Sequence, residues 1–253
     1  MIIKKFLSKI EINNYTLILL FLSLITGLFK EILVVFFIII IHELGHYIIM
    51  YKYKWNVKKI SIYPFGGVTI LDDVIDKPLL EEFFVTIMGP IFQIILFIFV
   101  TILYKKYIIN DYIYYLFKNY HYSMLLFNLL PIIPLDGSKL FNVFFNKFLN
   151  FRISYLFNII LSVITLTIFL LLYRFDSSYY IIIIFLIFQT IYTLKNRSIM
   201  FNRFILEKRL YKNNYRNYIK IRNIKSMHRN KKHLIFDKNR YTTENNYLKN
   251  RKI

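Results

Sequence analysis

The chain contains no cysteine. That excludes disulfides, thiolate zinc sites, cysteine nucleophiles and iron–sulfur clusters. It contains no alanine either, and it is rich in Ile, Phe, Tyr, Asn and Lys. That pattern points to an AT-rich genome, whose codon bias contributes to the Lys excess. Acidic residues are few, 14 against 34 Lys and Arg, for a net charge of +20. The imbalance is local, because residues 195–253 hold 18 basic and 3 acidic side chains. What the chain has in abundance is apolar. Hydrophobic residues make up 57% of its 253 positions, against about 45–50% in soluble domains. Several runs approach the roughly 20 residues that span a bilayer as a helix. A soluble globular enzyme and a disordered chain are both poor fits to this composition.

Six apolar runs predict a mostly α, polytopic membrane protein with about six transmembrane helices: 15–29, 32–51, 83–104, 112–135, 153–173 and 179–194. The first is short. A cleaved signal peptide is its rival reading, but no small-residue cleavage site follows it, and an anchor helix is the better fit. Between the second and third runs, residues 61–71 have strand-like composition around Pro64, Gly66 and Gly67. They are too short to span as a helix and read as a re-entrant, β-hairpin-like segment. An acidic stretch follows, with Asp72, Asp73, Asp76, Glu81 and Glu82, and reads as a solvated loop. Lys and Arg in short loops set orientation. They place both termini in the cytoplasm, with the transmembrane domain at 1–200 and a basic cytoplasmic tail at 201–253.

Residues 42–46 read HELGH. On a helix, His42 and His46 lie one turn apart on one face, within reach of a single metal ion. Imidazole suits zinc, which takes three protein ligands plus a water in catalytic sites. Glu43 stands beside the first histidine and can take a proton from that water, whose pKa a metal lowers to about 7. With 5 histidines in the chain, chance placement makes such a match far rarer than one per chain. Ionisable groups inside a spanning helix are also costly, about 2.5–3.5 kcal/mol for a central charge, and need a compensating partner. A hydrogen-bonded His–Glu–His cluster without metal is the bland alternative.

The third ligand should be a carboxylate or histidine at the same depth. Asp136 ends an apolar run, follows Pro131 and Pro134, precedes Gly137, and is the only acid between Asp111 and Asp176. Its plain alternative is a helix cap. The orientation puts HELGH and Asp136 on the same, cytoplasmic side of the bilayer.

This combination resembles the site-2 protease family of intramembrane zinc metalloproteases. HELGH at 42–46 and NLLPIIPLDG at 128–137 carry the resemblance, and PFGGV at 64–68 and Gly89–Pro90 add to it. The resemblance implies Zn2+ on His42, His46 and Asp136, Glu43 as general base, and Asn128 near the substrate. It is strongest to the stage IV sporulation branch, which processes a pro-sigma factor in the mother-cell membrane around the forespore. Members of that branch often carry a C-terminal CBS-type module. Here the tail is short, and KKHLIF at 231–236 is a candidate remnant strand.

A helical peptide bond is shielded, so the substrate must become extended. Phe65, Gly66 and Gly67 are expected to bind it by β-addition. The expected partners are a membrane-associated protein substrate, the lipid bilayer and regulatory or inhibitory membrane proteins, with no nucleic acid. His121 reads as an interfacial side chain, His228 and His233 as solvated tail residues, and Gln93 as a candidate cavity lining. Two other function classes fit the same residues: a metal or ion transporter, and a proteolytically inactive scaffold. The glutamate directly after the first histidine speaks against the transporter, and the intact HExxH and Asp136 speak against the scaffold.

Overall fold

The structure, a computed structural model of the full chain, describes residues 2–63, 66–71, 76–172, 179–210, 215, 218–237 and 240–249. They form two compact units, residues 1–73 with 84–129, and residues 74–83 with 130–253.

The first unit begins with α1 (Ile2–Leu7), β1 (Ile10–Ile12), α2 (Asn14–Thr26) and the long α3 (Phe29–Lys52). Strands β2 (Val57–Tyr63) and β3 (Gly66–Leu71) follow, then most of α4 (Leu79–Lys105) and α5 (Asp111–Leu129). In a bilayer a backbone must satisfy its own hydrogen bonds, which makes apolar runs such as 32–41 and 91–103 helical. The β-branched residues of 57–71 instead build a three-stranded sheet in the order β1-β2-β3. β1 runs parallel to β2, with Ile10 opposite Ile60, and β2 pairs antiparallel with β3, with Tyr63 opposite Gly66. Thr16 fastens α2 to this sheet by donating its hydroxyl to the Ile62 carbonyl at 2.8 Å.

Phe6, Tyr47, Met50, Val57, Ile60 and Val85 form one buried cluster. Ile38, Leu96, Val100 and Phe117 form a second, joining α3, α4 and α5. Aromatic stacking lines the α4–α5 seam, with Tyr104 on Tyr114 at 4.0 Å and Phe97 on His121 at 4.4 Å between centroids. His121 is therefore a buried, stacked ring and not an interfacial one.

The second unit holds α6 (Asp136–Phe148), α7 (Phe151–Leu172), α8 (Tyr179–Lys195) and α9 (Arg197–Leu210). The described residues of the basic C-terminal segment are folded. β4 (Tyr218–Ile221) runs parallel to β5 (Lys232–Asp237), β6 (Arg240–Thr243) pairs antiparallel with β5, and α10 (Glu244–Lys249) packs against α9. Their core is Phe204, Ile205, Ile221, Met227, Ile235 and Leu248, with Phe151 of α7 stacked on Phe204 at 4.3 Å. His233, expected in solvent, is wholly buried in β5. Its Nδ1 donates to Glu244 at 2.7 Å and its Nε2 accepts from the His228 amide at 2.9 Å. Burial alternates along β5, with His233 and Ile235 buried while Lys232 and Leu234 are half-buried and Phe236 is exposed; the residue types themselves do not alternate, which is why composition alone read as a tail.

Among the described residues, three helices are long and apolar enough to cross a membrane: α3, α4 and α7. The apolar stretches of α2 and α8 are shorter, and α5 is interrupted by Lys118 and Asn119.

Candidate metal centre

His42 and His46 project from the same face of α3, both buried, with their Nε2 atoms 3.1 Å apart. Their other ring nitrogens are engaged. His42 Nδ1 lies 3.1 Å from Gln93 Oε1, and His46 Nδ1 lies 2.7 Å from the Val85 carbonyl. Both partners are acceptors, so both Nδ1 atoms carry the proton. In neutral imidazoles that leaves both Nε2 atoms as lone pairs turned toward each other. Such an arrangement calls for a cation between them. Two ligands on a tetrahedral zinc with Zn–N of about 2.05 Å stand about 3.3 Å apart, close to the observed spacing. The donor set thus fits zinc.

Gln93 is itself oriented. Its Nε2 donates to the His121 carbonyl at 3.0 Å, which commits Oε1 to His42. A chain of hydrogen bonds therefore runs from the α5 backbone through α4 to the imidazole on α3. Gly89 supplies the room. A side chain there would run into the His46 ring and reach His42 Nε2 at 2.8 Å.

Glu43 is buried beside the histidines. β3 lies against it: Thr69 donates its hydroxyl to Glu43 Oε2 at 3.3 Å, and a side chain at position 67 would collide with the carboxyl group. Only glycine lets the β3 backbone approach that closely. β3 pairs with β2 alone, so its other edge is the outer edge of the sheet among the described residues.

Asp136 is the first residue of α6 and is buried, with Lys139 Nζ 2.8 Å from its Oδ1. His42 and His46 belong to the first unit and Asp136 to the second. Asn128 is half-buried on the last turn of α5, and Gly66 and Gly67 open β3. Phe65 lies outside the described residues. The Val85 carbonyl and Thr69 were not legible beforehand. A backbone acceptor leaves no trace in side-chain pattern, and one threonine in a strand is unremarkable by sequence.

A chain built on long apolar helices, with a buried HExxH face whose two imidazoles are turned to share one cation, is a zinc metallopeptidase in class. Residues 30–122 match Peptidase family M50. Over 209 residues the chain is 32% identical to Stage IV sporulation protein FB of Bacillus subtilis, spanning 81% of this chain and 73% of that protein. It is 31% identical over 150 residues to a zinc metalloprotease of Methanocaldococcus jannaschii, of which it covers 43%. The solved site-2 protease from Methanocaldococcus jannaschii shares its fold, with a TM-score of 0.53 over 76% of this chain and 89% of the other at 22% identity. The chain belongs to peptidase family M50, the site-2 proteases, and uses zinc.

Proposed function

We propose that His42, His46 and Asp136 hold the zinc and that Glu43 is the general base of an intramembrane endopeptidase acting near the cytoplasmic leaflet. The observation that carries this reading is the pair of facing Nε2 lone pairs, 3.1 Å apart, with both Nδ1 atoms committed elsewhere. Zinc, when bound, polarises the scissile carbonyl and acidifies a water. The remaining work falls to the chain. Gln93 and the Val85 carbonyl hold both imidazoles in the ligating tautomer. Glu43 takes the proton from the attacking water and passes it to the leaving amine. The Thr69 hydroxyl steadies one carboxylate oxygen while that transfer occurs.

The outer edge of β3 receives the substrate in this reading. A segment adding to it as a fourth strand becomes extended, and Gly67 brings its peptide next to Glu43. Phe65, Gly66 and Gly67 contribute backbone or side-chain contacts, and Asn128 contacts the substrate from α5. Six spans, a re-entrant β2–β3 hairpin and both termini in the cytoplasm complete the topology, supported by the Lys and Arg bias of the short loops. The basic module at 201–253 is a reduced CBS-type unit on the cytoplasmic side, a reading supported by its parallel–antiparallel sheet followed by a helix.

Similarity to a stage IV sporulation protein makes a membrane-associated sigma-factor precursor the favoured substrate. Co-expression with such a precursor, with product size followed on a gel, tests it. Wild type yields the shortened product and Glu43→Gln yields none at equal expression. Cleavage that persists in Glu43→Gln refutes the role given to Glu43.

A further inference from the structure

The stretch preceding α4 was expected to be a solvated acidic loop, yet Asp76 is buried and paired with an equally buried lysine. Asp76 Oδ2 meets Lys208 Nζ of α9 at 2.8 Å, each side chain 1% exposed. Every other polar group of Asp76 is also held from the C-terminal module. Oδ1 accepts from the Asn230 amide at 3.2 Å, the carbonyl accepts from the Tyr215 hydroxyl at 3.0 Å, and the amide donates to Glu207 at 3.3 Å. Arg229 reaches further along. Its guanidinium donates to the Lys77 carbonyl at 3.2 Å and meets Glu82, in the first turn of α4, at 2.7 Å. With its amide turned to face its partners, Asn230 accepts from the Leu79 amide, the first of α4, and donates to the Lys77 carbonyl at 2.9 Å. The helix start is thus capped by side chains some 150 positions away in sequence.

α4 continues from this anchored turn to the metal centre without a break. Val85, whose carbonyl holds His46, is three residues beyond Glu82, about 4.5 Å along the axis. Five residues later comes Pro90, which lacks the N–H that the Thr86 carbonyl would accept and crowds that carbonyl. The ladder of α4 is therefore weakest on the C-terminal side of Val85. The turn carrying the carbonyl is secured chiefly from its N-terminal side, where the C-terminal module grips it.

We propose that the C-terminal module is a clamp on the first turn of α4, and that Glu82 and Arg229 are positioning residues that set the Val85 carbonyl under His46. Asp76 and Lys208 form the buried base of the clamp. The proposal rests on the reading of His46 as a metal ligand. A module that sits outside the site then tunes metal geometry through one helix, and any partner that loosens Arg229 weakens the site without touching it.

The test uses the full chain in detergent, loaded with Co2+ in place of zinc, with metal affinity from chelator competition and geometry from the cobalt absorption bands. His46→Ala serves as the control for the ligand reading; unchanged affinity in it overturns that reading by itself. With that control losing metal, Arg229→Gln and Glu82→Gln are expected to bind about tenfold more weakly, the low end for loss of outer-shell support, and to shift the bands. Arg229→Lys, which keeps the charge beside Glu82, falls between wild type and Arg229→Gln. Wild-type affinity and bands in both neutral variants overturn the clamp. A shift in Arg229→Gln alone also overturns it, since both variants remove the same ion pair. Should Arg229→Gln not be recovered folded, Glu82→Gln, whose side chain is 21% exposed, decides the matter alone.

Discussion

Replacing Gln93 with leucine removes one link and leaves the volume nearly unchanged. His42 Nδ1–H then loses its 3.1 Å acceptor inside a buried site, where losing a donor's partner costs about 1–3 kcal/mol. The ring can escape by turning or by moving its proton to Nε2, and either change spoils the lone pair aimed at the metal. Loss of such an outer-shell partner weakens metal binding about 10–100-fold, equivalent to roughly 1.4–2.8 kcal/mol. The assay is zinc competition against a chromophoric chelator at fixed pH on detergent-purified protein. Gln93→Glu separates orientation from packing. Its carboxylate still accepts from His42, so zinc affinity should stay near wild type. The His121 carbonyl, however, loses its 3.0 Å donor and faces negative charge, so thermal stability should drop. Wild-type zinc affinity in Gln93→Leu would refute the tautomer argument, because His42 would then be held by something other than the hydrogen bond at 3.1 Å.

Glu43→Gln should keep zinc and lose peptidase activity by about 10²–10⁴-fold, the range for removing a general base; full metal content with residual activity above that range would count against it. Gly89→Ala should bind zinc poorly, since its methyl group would meet both imidazoles; metal stoichiometry after dialysis reports this. Gly67→Ala should retain zinc but lose cleavage, because the methyl group would displace the Glu43 carboxyl; equal loss of both would mean that β3 supports the metal and not the base. His228 predicts a pH effect on the C-terminal module. Burial, then Lys231 and His233, lower its pKa below the usual 6.5. The unfolded chain therefore binds the additional proton, and stability falls as pH drops through about 6.5. The melting temperature should decline between pH 8 and pH 5.5, and His228→Gln should flatten that decline.

The helix bearing HELGH and the candidacy of Asp136 were legible because their signals are local: a four-residue repeat on one face, and a lone acid after two prolines. The apolar runs at 32–51, 83–104 and 153–173 were legible for the same reason, since bilayer thickness sets their length. Pairings across long sequence distances were not. Asp76 looked like one more acid in an exposed patch, and nothing nearby indicates that Lys208 neutralises it from 132 positions away. The strand containing His233 was glimpsed only as KKHLIF, since its burial depends on α9 and α10 covering one side. Gln93 stood out as a polar residue in an apolar helix, but its partners lie on two other helices.

The strand addition proposed for the outer edge of β3 has a consequence for what can be cut. A strand adding there is read through its main chain, which offers N–H groups at every second residue. Side chains at the pairing positions matter little to such an edge, whereas a proline there forfeits a donor and is rejected. Selectivity of this kind is grammatical rather than lexical. It asks whether a segment can unwind and lie straight, so a single proline moved by one residue, with no change in composition, should switch a target between cleaved and spared.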